Sequence, residues 1–166
     1  MNAAVIEIRP AVEADVDQIL EFIRELARYE RLEHEVIATP ADLRERLFGA
    51  RRFAEVVFAC DAEVPVGFAL FFHNFSTFKG QPGIYLEDLY VKPHMRGRGV
   101  GRLLLRHLAR LTVERRCARL DWAVLEWNEP SIAFYRGLGA ELMADWRIFR
   151  LSGAALGQLS GSPAGR

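Results

Sequence analysis

Leu89-Tyr90-Val91-Lys92-Pro93-His94-Met95-Arg96-Gly97-Arg98-Gly99-Val100-Gly101-Arg102 carries the chain from the end of an apolar strand, through a glycine-rich turn, into the start of a helix. Pro93 stops the strand because it cannot donate to a ladder. Glycines in such a turn let backbone N–H groups approach an anion closely, and the helix N-terminus adds roughly half a positive charge. The physics is that of a phosphate cradle. A dinucleotide-binding Gly-x-Gly-x-x-Gly needs glycine three residues after Gly99, where Arg102 stands, and no Gly-Lys-Ser/Thr follows to make a P-loop. A second reading stays open on these residues alone, a tight turn that uses glycine for its dihedrals.

Working outward, Ile84 to Val91 predicts a strand with Ile84, Leu86, Asp88 and Tyr90 on one face and Tyr85, Glu87, Leu89 and Val91 on the other. On the C-terminal side, Val100, Leu104, Leu108 and Leu111 make the buried stripe of a helix to about Arg115, with Arg102, Arg106 and Arg110 on its wet side. Upstream, Val5 to Arg9 reads as a strand closed by Pro10. Asp15 with Gln18 reads as a capping box opening a helix over 16–29, and Thr39-Pro40-Ala41-Asp42 as the start of a second, short helix. Phe53 to Ala59 and Val64 to His73 predict a hairpin, and Asn74 to Gly83 a loop. Downstream, Leu120 to Leu125 predicts a strand, Asn128 caps a helix ending near Gly137 or Gly139, and Ala140–Met143 with Trp146–Leu151 predict a closing hairpin before a mobile tail from Ser152. The order βααβββαβαββ is α+β, one domain over residues 1–166 with a mixed, mostly antiparallel sheet flanked by helices.

Composition narrows the function. The chain has 166 residues, 51% hydrophobic and 27% charged, which fits one globular core and excludes disorder and fibrous repeats. Its apolar runs are far shorter than the ~20 residues that span a bilayer. Acids and bases cancel at 22 each, but Met1 to Glu45 holds eleven acids against five arginines, a net of −6. Arg96 to Leu120 holds eight arginines against Glu114, a net of +7, which suits a polyphosphate ligand there and a cationic one at the acidic segment. Two solvated helix faces would leave the same pattern. Cys60 and Cys117 make no disulfide framework, no basic leader with an apolar run opens the chain, and the expected setting is cytoplasmic. The four histidines lack metal-ligand spacing, so no metal is expected; His34 and His73 read as solvated loop and strand-end residues.

The segment Leu89-Tyr90-Val91-x-Pro93-x-x-Arg96-Gly97-Arg98-Gly99-Val100-Gly101 resembles the acetyl-CoA motif of the GNAT acyltransferases, with Arg96, Gly99 and Gly101 at its defining positions. Tyr85-Leu86-Glu87-Asp88, Glu126-Trp127-Asn128-Glu129-Pro130-Ser131-Ile132-x-Phe134-Tyr135, Gly139-Ala140 and Trp146-Arg147 are similar to the diamine (spermidine/spermine, thialysine) acetyltransferase subfamily. So are Arg9-Pro10-Ala11 and Glu25-Leu26-Ala27-Arg28-Tyr29-Glu30, and the likeness spans Ile8 to Leu151. The resemblance implies a splay between two central strands that takes the pantetheine arm of acetyl-CoA. Its amides would pair with the backbone of Leu89, Tyr90 and Val91, and its pyrophosphate would lie on Arg96 to Arg102, with further contacts from Asn128 and Ser131. Asn128 has a helix N-cap as a second, compatible role.

The resemblance further implies transfer of an acetyl group to the primary amine of a polyamine or lysine-like amino acid by direct attack in a ternary complex. An ammonium at neutral pH has no lone pair, so a carboxylate must take its proton. Glu87 matches the family base and Tyr135 the general acid, while Asp88 reads as a satisfied structural acid. Tyr29 and Glu30 match the amine-binding pair, with Glu33 and Glu35 nearby and Asp145 as a candidate for the far end of the substrate. The family implies a homodimer. A GNAT-fold CoA sensor without turnover is the alternative, and a nucleic-acid binder on the Arg96–Arg119 face is disfavoured because the basic stripe lacks interleaved aromatics. An acetyl-cysteine route is disfavoured because neither cysteine has a neighbouring histidine in sequence.

Overall fold

The computed structural model describes residues 6–161, and the expected strand start at Val5 lies outside them. The chain divides into two compact units, Met1–Leu125 and Glu126–Arg166. In the first, β1 (Ile6–Pro10), β2 (Glu55–Asp61), β3 (Val64–Ser76), β4 (Gln81–Val91) and β5 (Leu120–Trp122) form one sheet in sequence order. All neighbours are antiparallel except β4 and β5, which run parallel. The parallel pair requires a crossover, and α3 (Val100–Glu114) supplies it.

The helix α1 (Val16–Glu30) places Ile19 and Phe22 against one sheet face, where Phe58, Phe68 and Tyr90 meet them. Phe22 stacks on Phe68 with centroids 5.1 Å apart and meets Tyr90 edge-on at 6.2 Å. The predicted stripe of α3 covers the other face, where Val100, Leu104 and Leu108 are buried. Gly67 lets that helix close in, since a Cβ there would sit 3.4 Å from both Leu104 Cδ1 and Val100 Cγ1.

Thr39 opens α2 (Pro40–Leu43) as expected: its Oγ1 accepts from Asp42 N, and Asp42 Oδ2 accepts from Thr39 N at 2.9 Å. Five further residues, Arg44–Phe48, continue as a wider turn that buries Leu47. Thr39→Ala is expected to lower stability by about 1 kcal/mol, read as a fall in the urea midpoint at constant slope. Asp15 behaves differently from the expected capping box. Its carboxylate accepts from Arg9 at 2.7 and 3.0 Å and from Val12 N at 2.8 Å, while Gln18 donates to Glu21. A guanidinium competes better for a carboxylate than a neutral amide does, and the pairing holds the Asp15 carboxyl below its ordinary range.

The expected loop over Asn74–Gly83 is mostly ladder: Asn74 pairs with Gly83, Phe75 with Pro82 and Ser76 with Gln81, leaving a turn of only residues 77–80. Its glycine and proline are tolerated because Gly83 makes room for the Asn74 amide and Pro82 offers its carbonyl to Ala118 N at 2.7 Å. Asn74 Nδ2 in turn donates to Asp121 on β5.

In the second unit, α4 (Glu129–Arg136) starts at Asn128, whose buried side chain accepts from Ser131 N at 3.4 Å. The hairpin expected from Ala140–Met143 and Trp146–Leu151 is not formed. Tight turns close instead, from Ala144 N to Leu142 O and Trp146 N to Met143 O, and Trp146, Ile148 and Phe149 are exposed. Two short strands without a further sheet partner are marginal on their own. The expected mobile tail contains α5 (Gly153–Ser160), whose alanines and leucines favour a helix and whose end is set by Gly161 at φ 69.

Candidate active site

The strand β4 reaches further than its partner. Ile84, Tyr85 and Leu86 pair with Leu120, Asp121 and Trp122, and there β5 ends, three residues short of the expected Leu125. From Glu87 to Val91 the β5 side of β4 therefore has no strand partner among the described residues, and the edge from Leu89 to Val91 is open to an added strand except where Val91 O accepts from Arg96 Nε. On its other side the register steps from Leu70↔Asp88 to Phe71↔Leu86, so Glu87 is the extra residue of a β-bulge at the fork.

Two carboxylates at this fork differ. Glu87 is exposed, whereas Asp88 is half-buried and no donor among the described residues holds it. Burial, then the charges of Glu87 and Glu30, raise the Asp88 carboxyl to about 7. It is not the satisfied acid its place in the strand suggested. Burial also raises Glu30, at the C-terminal end of α1. Sequence alternation could not find this because burial and the bulge are tertiary properties.

After β4, the residues Pro93–Met95 make a short turn and Arg96 is extended. Gly97 at φ 73 and Gly99 at φ 82 then bring the chain into α3. Those left-handed dihedrals require glycine, and a Cβ placed on either residue would have nothing within 4 Å, so the concavity is open. Gly99 is the cap residue and has no side chain to spend on the first amides of α3. Gly101 and Arg102 lie in that first turn, and the exposed Arg98 reaches Met95 Sδ at 3.8 Å.

Arg96 turns back from the loop. Its Nε donates to Val91 O at 3.0 Å, and its guanidinium lies over the rings of Tyr29 at 4.8 Å and Tyr90 at 5.3 Å. A cavity of about 530 Å³ opens there, with Arg28, Tyr29, Tyr90, Lys92, Arg96 and Glu25 in its wall beside Pro93 and His94. The structure thus brings Tyr29, Glu30, Glu87, Asp88 and the glycine turn from Arg96 to Arg102 into one unit. Asn128, Ser131, Tyr135 and Asp145 belong to the other: Tyr135 is half-buried beside Phe134, and Asp145 is exposed.

Elsewhere His34 lies beside Glu35, and His73 beside Arg115, which is paired with Glu55. Of the basic segment, Arg110, Arg115 and Arg119 are engaged by Glu114, Glu55 and Asp121. Among the described residues no group of three His, Cys, Asp or Glu side chains could hold a metal ion, and no helix is long and apolar enough to cross a membrane.

A forked sheet with a glycine-lined helix start at its mouth fits the acyltransferase resemblance of the sequence. The model of the acetyltransferase (GNAT) family matches residues 16–140, and the chain belongs to that family of N-acetyltransferases. It is 37% identical to the thialysine N-epsilon-acetyltransferase of Bos taurus over 95% of this chain and 99% of that one. It is 30% identical to the L-ornithine N5-acetyltransferase of Arabidopsis thaliana over 90% of this chain and 85% of that one. Among solved structures, an integron cassette protein from the mobile metagenome of V. cholerae superposes with a TM-score of 0.80 at 28% identity, covering 95% and 98% of the two chains.

Proposed function

We propose that the protein transfers an acetyl group from acetyl-CoA to the primary amine of a small molecule, a polyamine or lysine-like amino acid, by direct attack in a ternary complex. The observation that carries the reading is the fork of β4 and β5 with two adjacent carboxylates, Glu87 and Asp88, at its apex. Acetyl-CoA fits the residues present. The unpaired edge at Leu89, Tyr90 and Val91 suits the amides of its pantetheine arm, and the open turn at Gly97, Arg98 and Gly99 suits its pyrophosphate, with the amides of Val100, Gly101 and Arg102 behind it. Asn128 and Ser131 are assigned further cofactor contacts from the family resemblance. When bound, acetyl-CoA supplies the activated acetyl thioester.

The chain's own groups do the rest. Tyr29, Glu30 and the carboxylates of the fork draw in the cationic amine, Asp145 being the candidate for its far end. Glu87, exposed at the bulge, takes the ammonium proton directly or through water, freeing the lone pair that attacks. The N–H of Leu89 polarises the thioester carbonyl. The family resemblance assigns to Tyr135 the proton that the leaving sulfur requires. The Cys60 thiol is buried and burial raises its pKa, which supports direct attack over an acetyl-cysteine route.

The family match crosses both units, which supports treating the 166 residues as one acetyltransferase domain. A homodimer and a cytoplasmic setting belong to the same reading, supported by the family resemblance and the two free thiols; sedimentation measures the first. The activity is tested by CoA thiol release with spermidine, spermine, putrescine, lysine, ornithine and thialysine in parallel. Turnover that falls in Tyr135→Phe supports the reading, and acetyl-CoA binding without release from any amine would favour the CoA sensor. Gly99→Val, which forces a branched side chain into a left-handed position, is expected to weaken CoA binding at least tenfold in calorimetry.

A further inference from the structure

Arg96 holds a place that the proposed cofactor needs. Lys92 N donates to Val66 O at 2.9 Å, so the peptide groups of Lys92 face β3, and those of Leu89 and Val91 face the open edge of β4. An extended chain added at that edge pairs through the N–H and C=O groups of these two residues. One of the four is already engaged, because Val91 O accepts from Arg96 Nε at 3.0 Å. The same guanidinium lies over Tyr29 at 4.8 Å and Tyr90 at 5.3 Å, in the wall of the cavity of about 530 Å³. A single side chain therefore joins an acceptor on the edge assigned to the pantetheine arm and the ring assigned to the amine.

Its hold is light. Among the described residues no carboxylate pairs with Arg96. It is exposed, and it stands between the buried Met95 and Gly97, whose φ of 73 and open surroundings begin the glycine turn. One hydrogen bond and two ring contacts at an exposed site are individually weak, and a ligand group that takes Val91 O displaces them together. In its place over Tyr29 the guanidinium opposes an arriving ammonium twice, by covering the face of the ring and by repelling the charge. We propose that Arg96 is a latch between the two ligands, released from Tyr29 and Tyr90 when the pantetheine arm takes Val91 O, so that the amine binds more tightly to the cofactor complex than to the free protein. Linkage then requires the amine to tighten cofactor binding by the same factor. The inference rests on the acetyl-CoA and amine reading above and adds the coupling between its two ligands, with Arg96 as the positioning residue.

Calorimetry with CoA, which has no acetyl group to transfer, reads the coupling, with spermidine and L-lysine as the amines. In the wild-type protein the amine that supports thiol release is expected to bind at least fivefold more tightly with CoA saturating than without it, and CoA to gain the same factor from the amine. In Arg96→Ala that amine should bind the free protein at least fivefold more tightly than it binds the free wild type, and the gain from CoA should fall below twofold. A merely structural arginine predicts the reverse, a loss of amine affinity on its removal. Arg106→Gln, an exposed charge on α3, should keep the wild-type coupling, and thermal melting of each variant excludes unfolding as the cause. Equal amine affinity with and without CoA in the wild-type protein overturns the latch and leaves the activity standing. So does weaker amine binding in Arg96→Ala, because Arg96 would then be part of the amine seat. Absence of thiol release with both amines overturns the reading and the latch together.

Discussion

Glu87→Gln is expected to lower kcat by a factor of roughly 10² to 10⁴, the usual contribution of a positioned base, with little change in the binding of acetyl-CoA. The bulge at Glu87 and the end of β5 put this carboxylate beside the edge of β4 that the proposed reaction uses. Its neighbour is expected to set the pH dependence. With the Asp88 carboxyl raised to about 7 by burial and by the charges of Glu87 and Glu30, the fork carries a further negative charge only above neutrality. The kcat/KM of the wild-type protein should therefore rise through pH 7 to a plateau. Asp88→Asn should abolish that limb, and Glu87→Gln should move it to lower pH by removing one of the charges that raises Asp88. A profile flat through pH 7 in all three proteins would contradict the assignment. Stability follows the same group with the opposite sense. A carboxyl whose folded pKa is raised favours the native state at low pH, and that contribution is lost as pH rises from 3.8 through about 7. The rise is equivalent to ~4 kcal/mol, so Asp88→Asn should be more stable than the wild-type protein at pH 8, by a few kcal/mol in urea unfolding, and comparable at pH 4.

Phe22→Ala is expected to cost about 3–5 kcal/mol of stability, a large share of the ~5–15 kcal/mol that holds a domain together. Phe22 is fully buried and is the point where α1 meets three strands, through Phe58, Phe68 and Tyr90, with Lys92 Nζ 5.3 Å from its ring. Its removal leaves a cavity between rigid rings that cannot collapse into it, and it loosens α1, which carries Tyr29 and Glu30. Equilibrium unfolding in urea should show a much lower midpoint, and Phe22→Leu, which keeps most of the apolar volume, a smaller loss. A midpoint for Phe22→Ala within experimental error of the wild type would contradict this account of the core.

What could be read from sequence was whatever depends on neighbours along the chain. The apolar period of α1 and the Thr39–Asp42 box follow from local spacing, and the positive φ at Gly97 and Gly99 is what glycine at those positions implies. The expected alternation of β4 does not hold along the whole strand: the bulge at Glu87 moves Asp88 and Tyr90 to the face opposite Ile84 and Leu86. Features that depend on distant partners were hidden. Arg9 captures Asp15 from its expected cap, and the Asn74–Gly83 segment becomes ladder because its two strands meet there and Asp121 binds Asn74. The bulge at Glu87 is a matter of register with β3, and the unusual acid of the fork is Asp88 because burial and the charges of Glu87 and Glu30 act on it together. Tyr135 shows how little spacing alone decides: its helix was legible from Asn128, but its role rests on the family resemblance.

The most direct measurement uses acetyl-CoA labelled in its acetyl group, mixed with L-lysine and the purified protein, with the products and the intact protein weighed by mass spectrometry. The account predicts one acetyl group on the side-chain nitrogen of lysine for each CoA thiol released, and an unlabelled protein. CoA release with the label retained on the protein, or no acetylated amine at all, would contradict direct transfer at the fork of β4 and β5.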